Sequence, residues 1–341
     1  MKLGLQLGYW GSSPPSGVVD LIKLAEQLGY ESAWTAEAYG SDALTPLAWW
    51  GSASTKLRLG TAIMQISART PTAAAMAAIS MDHLTGGRFI LGIGASGPQV
   101  VEGWYGQSYP KPLARTREYV DIVRKVLARS GPVEYDGEFY QLPYQGGTGL
   151  GKPLKSTVHP IREDLPIFLA AEGPKNVALA AEIADGWFPF WFSPSSDSFY
   201  RQALDEGFAV PSARRVKSEF EVAAPIMVSI DDDVNAAADR IRPQIALYVG
   251  GMGARNANFH ADVFVRMGYE AECANIQNLF LNGKKAEAVA SIPLKMVEDV
   301  ALIGPKEKIR DDLERWRETL ITTLIVGGDV EVVRLMAELL A

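Results

Sequence analysis

Apolar positions along this chain switch between two periods. Leu3, Leu5 and Leu7 recur at every second residue and stop at Gly8, the pattern of a strand with one buried face. Val18, Leu21, Ile22, Ala25 and Leu28 then line one side of a helix that ends at Gly29. Residues 32–35 form a second short strand and residues 57–64 a third. An alanine-rich helix runs from Pro71, where a first helical turn tolerates proline, to Leu84, with Gly86 and Gly87 as C-caps. Residues 89–93 are apolar throughout and predict a fully buried fourth strand. Strands five to eight are expected at 166–170, 187–191, 220–230 and 323–326. Helices are expected through 119–127, 177–184, 306–320 and 332–339, with another beginning near Asp232. Two segments break the rhythm. Residues 130–165 contain a hairpin turn at 135–140, and residues 250–300 read as an inserted helical stretch.

Strands that alternate with helices run parallel, and eight of them in 341 residues predict an α/β fold, a (β/α)8 TIM barrel spanning 1–341 as a single domain with two insertions. A doubly wound open sheet has the same rhythm, since periodicity does not encode strand order. In a barrel the loops after Trp34, Met64, Ile93 and Ala170 share one mouth. Composition narrows the class. The net charge is −7, with no basic cluster, which excludes nucleic acid as a partner. No run of about 18 apolar residues occurs, so no membrane span is expected. The lone cysteine, Cys273, excludes an intramolecular disulfide, and the strand-like N-terminus lacks a signal-peptide pattern. A cytoplasmic location is the expectation.

The candidate chemistry centres on residues 86–104. Here the fourth strand opens into a loop of small residues, Gly94, Ala95, Ser96, Gly97, Pro98 and Gln99, ahead of a helix start. Free N–H groups and the helix dipole make such a turn suited to phosphate. An ordinary βα turn has the same composition, so the loop gains weight only from its place at the mouth.

Several stretches together resemble the bacterial luciferase-like superfamily: the opening strand, Trp34-Thr35-Ala36-Glu37, Leu59-Gly60-Thr61-Ala62-Ile63, Leu84-Thr85-Gly86-Gly87-Arg88-Phe89, Leu91-Gly92-Ile93-Gly94 and Ala184-Asp185-Gly186. The stretch from Ser96 to Trp104 is similar to the branch of coenzyme F420-dependent oxidoreductases. The resemblance implies a flavin or 5-deazaflavin at the barrel mouth. It implies two phosphate-binding loops, 95–99 and Glu172-Gly173-Pro174, and a non-prolyl cis peptide at Ala62–Ile63 behind the ring. The implied activity is F420-dependent hydride transfer to or from an organic substrate. A reduced-FMN-dependent monooxygenase, which would need a reductase partner, and a non-catalytic F420- or flavin-binding protein are the alternatives. A homodimer through barrel helices, helix 71–84 among them, is implied too.

The chain departs from a related sugar-phosphate dehydrogenase at two places. Glu37 stands where that enzyme has a histidine, and Gly97 where it has an acid. Glu37 and Tyr39 become the candidates for proton transfer, with a salt bridge or loop cap as the competing role for Glu37. His83, His159 and His260 are widely separated, and no spacing predicts a metal site. Cys273 has no base motif near it. Arg69 is placed to reach a phosphate or to sit at the surface. Trp187, Trp191 and Phe192 could wall a substrate pocket or pack the barrel. Gly327-Gly328-Asp329 lies at a common barrel phosphate site.

Overall fold

The computed structural model describes residues 1–253 and 258–340. Eight parallel strands close on themselves: β1 (Lys2–Gly8), β2 (Ser32–Thr35), β3 (Arg58–Thr61), β4 (Phe89–Gly94), β5 (Ile167–Ala170), β6 (Gly186–Phe188), β7 (Glu221–Ile230) and β8 (Thr323–Gly327). Each pairs with its neighbours in sequence, and β8 returns to β1. Closure decides for the (β/α)8 barrel over the open sheet.

The two-residue period of the strands sorts side chains into two cores. Leu59, Phe89, Leu91, Ile93, Ile167, Leu169, Trp187, Leu324 and Val326 point outward and pack under the helices. The residues between them, Trp34, Ile90, Phe168, Phe188, Ala223 and Ile325, form a separate inner cluster. Trp34 stands edge-on to Phe188 with ring centroids 5.2 Å apart, and Phe168 lies 5.4 Å from Phe188. Three rings fit inside so narrow a barrel because the facing positions are glycine. A Cβ on Gly60 would lie 2.2 Å from the Trp34 ring, and one on Gly92 only 1.7 Å from the Thr61 carbonyl oxygen. The interior is therefore filled below the mouth.

At the opposite end from the mouth, Arg58 of β3 reaches Glu221 of β7 through two hydrogen bonds of 2.9 and 2.8 Å, and the Thr323 hydroxyl donates to the same carboxylate. Burial opposes the charge on Glu221, but Arg58 and Thr323 outweigh it and hold the carboxyl below its ordinary range.

Some elements differ from the sequence expectation. The third strand stops at Thr61, where the Ala62–Ile63 peptide is cis, and resumes as Met64–Gln65 alongside β4. The sixth ends at Phe188, three residues before Trp191, whose φ of +56° belongs to the left-handed region. Helices Leu44–Gly51 and Asp197–Phe208 were not expected, because Pro46 and the tryptophan pair obscure the first and the second follows an irregular stretch. The expected hairpin is present, Tyr135–Asp136 pairing with Gln141–Leu142. The helical insertion begins earlier than residue 250. It runs from Val234 to Glu298 as six helices among the described residues, then adds a strand, Ala301–Gly304, beside the end of β7. This insertion has its own core around Ile245, Val249, Phe264, Ile276 and Met296, and Trp191 belongs to that core.

Two consequences are measurable. Gly92→Ala should lower the urea unfolding free energy by at least about 2 kcal/mol, since backbone must move to admit the methyl group. Glu221→Gln should cost roughly 2–3 kcal/mol at neutral pH by leaving Arg58 unpaired. Because the carboxyl is depressed in the folded state, its contribution exists above the unfolded value and is lost on acidification. The variant should therefore lose less stability than the parent between about pH 5 and pH 3.

Candidate active site

The loops at the C-terminal ends of the strands carry nearly every residue singled out in the sequence. Glu37, just after β2, is buried. Its carboxylate accepts the Ala43 N–H at 3.0 Å and the Gln65 N–H at 2.8 Å, and it pairs with Arg69 at 3.2 Å. The Glu37 N–H in turn donates to the Ile63 carbonyl, and the Gln65 amide donates to the carbonyls of Glu37 and Ala38. Both carboxylate oxygens are thus committed to joining the loop after β2 to the one after β3. Arg69 extends the clamp to Asp42 at 3.4 Å. Tyr39 lies on the same loop, 56 % exposed and uncommitted.

Ala62 and Ile63 line the top of the inner cluster with Ala170. Gly94 is tucked against Ile63, where a Cβ would meet Ile63 Cδ1 at 2.8 Å. Beyond it Ser96 adopts φ +59°, unusual for a residue with a side chain, and its carbonyl accepts the Tyr109 hydroxyl at 2.8 Å. The helix Pro98–Val101 then starts on Gly97, and the helix Pro174–Ile183 starts on Gly173. The two starts are alike: extended glycine, proline in the first turn, and no side chain capping the free N–H groups. The start after β8 is different. There the Asp329 carboxylate already accepts from Glu331 and Val332, which removes Gly327-Gly328-Asp329 as an anion site.

The insertion joins these two loops. Its helix Phe259–Arg266 places Phe259 3.5 Å from where a Gly97 Cβ would be, and His260 Nδ1 2.7 Å from Glu172 Oε1. Arg266, at the other end, donates to the Glu172 carbonyl at 3.0 Å. The Glu172 carboxylate therefore turns to His260, and only the backbone of its loop is left to meet an anion. His260 packs edge-on against Tyr248 at 4.8 Å and Phe190 at 5.7 Å. The Tyr248 hydroxyl lies 3.4 Å from that of Tyr9, after β1. Burial, with Tyr9 beside it, pushes the Tyr248 hydroxyl well above the ordinary tyrosine range, so it stays protonated.

Among the described residues, six buried side-chain N or O atoms lack a partner, and five sit on mouth loops: Trp10 Nε1, Gln65 Oε1, Ser67 Oγ, Glu172 Oε2 and Trp191 Nε1. Native proteins seldom leave such atoms unpaired, and their concentration singles out the mouth as the candidate site for a polar ligand. A cavity of about 740 Å³ lies elsewhere, between helices Leu44–Gly51 and Pro71–Thr85 at the lower end of β3, and includes His83 and Arg88. Arg88 is tied to the Leu57 and Ser54 carbonyls and His83 to that of His159, so that cavity gathers no reactive group. Cys273 is buried in the insertion, which pushes its thiol up to about 12 and leaves it inert.

Residues 4–323 match the family model described as luciferase-like monooxygenase. The chain belongs to that family. It is 55 % identical, across 99 % of both chains, to a Mycobacterium tuberculosis protein provisionally named a coenzyme F420-dependent oxidoreductase. It is 27 % identical to the 5,10-methylenetetrahydromethanopterin reductase of Archaeoglobus fulgidus over 91 % of this chain and 88 % of that one. The coenzyme F420 dependent tetrahydromethanopterin reductase of Methanopyrus kandleri has the same fold, with a TM-score of 0.81 at 23 % identity over 99 % and 97 % of the two chains. No helix among the described residues is long and apolar enough to cross a membrane.

Within this luciferase-like barrel the two sequence candidates for proton transfer stand apart, Glu37 clamped and Tyr39 open. The sequence shows His260 only as one of three widely separated histidines. Its partner is 88 positions away, and no spacing rule joins them. Glu37→Gln separates the two roles of Glu37. A clamp predicts a loss of about 1–3 kcal/mol in urea unfolding, because the amide NH2 meets N–H donors where a carboxylate oxygen accepted them and Arg69 keeps only Asp42 as its ionic partner. Unchanged stability with abolished turnover would instead make Glu37 the proton donor.

Proposed function

We propose that this protein is an F420-dependent oxidoreductase that moves a hydride between the deazaflavin and an organic substrate at the barrel mouth. The observation that carries the reading is the pair of uncapped helix starts at Gly97-Pro98 and Gly173-Pro174, held to one helix of the insertion through Phe259 and His260. Free N–H groups at a helix start suit the phosphate of such a cofactor. The names of the Mycobacterium and Methanopyrus relatives favour F420 over FMN. F420, when bound, supplies a hydride-carrying carbon and nothing else that the protein must make.

The protein's part is position. In this reading Ala62, Ile63 and Gly94 form the small-residue bed for the ring, above the filled floor of Trp34, Phe168 and Phe188. Ala95, Ser96, Gly97, Pro98 and Gln99 hold the phosphate from one side, and the backbone of Glu172, Gly173 and Pro174 holds it from the other. Glu37, with Arg69, fixes the loops that carry the bed. Tyr39 stands open beside the substrate. Phe190, Tyr248 and Phe259 give that space aromatic walls.

We also infer a homodimer. Helix Pro71–Thr85 exposes Met76 and Leu84, and its one acid, Asp82, is buried on Arg162. Trp49, 78 % exposed, sits on the adjoining helix Leu44–Gly51. An apolar face of this kind fits a second copy of the chain, to be checked by light scattering.

Fluorescence titration of the purified protein with F420 and with FMN tests the cofactor. F420 should bind at least about tenfold tighter than FMN, and preference for FMN would move the protein to the monooxygenases. Gly173→Glu tests the loop. Nothing lies within 4 Å of a Cβ there and φ is −80°, so the fold accepts the side chain. Its carboxylate should weaken F420 binding about tenfold or more with the melting temperature unchanged.

A further inference from the structure

We propose that His260 is the proton-transfer residue of this site and that Glu172 is its positioning residue. The inference rests on the F420 reading for its hydride, but the pair itself stands on geometry.

Three observations converge on it. First, His260 Nδ1 is 2.7 Å from Glu172 Oε1, and that carboxylate is only 9 % exposed with Oε2 unpartnered. A carboxylate so placed fixes the orientation of the imidazole with its proton on Nδ1. Second, Nε2 has no hydrogen-bond partner among the described residues and is not among the fully buried unpartnered atoms. It is the free end of the ring. Third, the side chains around it carry no competing base. Phe190 and Phe259 are aromatic, Tyr248 stays protonated, and Arg266 is spent on the Glu172 carbonyl. Glu37, by contrast, has no free oxygen.

The chemistry assigned is the reduction of an apolar carbonyl compound by reduced F420, or its reverse. In reduction, bound reduced F420 would supply the two electrons as a hydride for the new C–H bond at the carbonyl carbon. The π pair of the C=O bond moves to oxygen, which takes the Nε2 proton of the imidazolium to form O–H. His260 is left neutral, Nδ1–H on Glu172, and recovers its proton from solvent. In the reverse direction the bare Nε2 accepts the alcohol proton.

The test has two arms. Histidine ¹⁵N chemical shifts of the cofactor-free protein report which nitrogen carries the proton. His260 should show the Nδ1–H form at neutral imidazole, and Glu172→Ala should abolish that preference. An Nε2–H form in the parent protein overturns the dyad whatever the cofactor proves to be. The second arm follows F420 oxidation with cyclohexanone as probe. His260→Asn keeps an N–H donor toward Glu172 but carries no titrating proton. It should lower turnover about 100-fold or more while the F420 dissociation constant stays within about twofold. Parent-like turnover in that variant overturns the inference. Failure of the parent protein to bind F420 overturns the cofactor reading and leaves the nitrogen shifts to decide the dyad.

Discussion

Everything at the mouth depends on how the barrel interior is filled. An eight-stranded barrel has room for side chains and little else. Here Trp34, Phe168 and Phe188 occupy that room, and Gly60, Gly92 and Gly186 give way to them. The rings fill the middle of the barrel, so polar chemistry sits on top of them. They also fix the height of the floor, and with it the level at which Ala62, Ile63 and Gly94 sit at the mouth. The glycine-rich look of the strands, which at first suggests flexibility, is the result of close packing.

That packing also explains what was legible in the sequence. Alternation in β1 and short apolar runs set between helical stripes made eight strands and their order along the chain readable. Where a strand bends sharply the period is no guide. β3 reads as one run through Met64, but the backbone breaks at Ala62–Ile63. β6 reads through Trp191, yet the chain leaves the sheet to let that ring join the insertion's core. The helix Leu44–Gly51 buries Leu44, Leu47 and Trp50 but exposes Trp49, and apolar residues on both sides blur its stripe.

The site divides along the same line. Its small-residue loops were readable because they follow strand ends, and helix starts with glycine and proline have a recognisable composition. The polar contacts between loops were not. Glu37 meets Gln65 and Arg69 across a loop boundary, and Glu172 meets His260 across most of the second half of the barrel. Such pairs arise from closure of the barrel and from the return of the insertion over it. Local pattern carries no trace of either.

The insertion's independent core has a consequence for how such a protein changes. Helices Val234–Asp239 through Leu294–Glu298 pack chiefly on one another, with Phe190, Trp191 and Met227 contributed by the barrel. A change in their lengths or angles shifts Phe259 and His260 relative to the loops without disturbing the strands, whose closure is complete beneath them. Ancestral drift, or a designer, can therefore retune what enters the mouth while inheriting the closed strands intact. The barrel is the fixed instrument in such a scheme, and the helical cap is the interchangeable fitting.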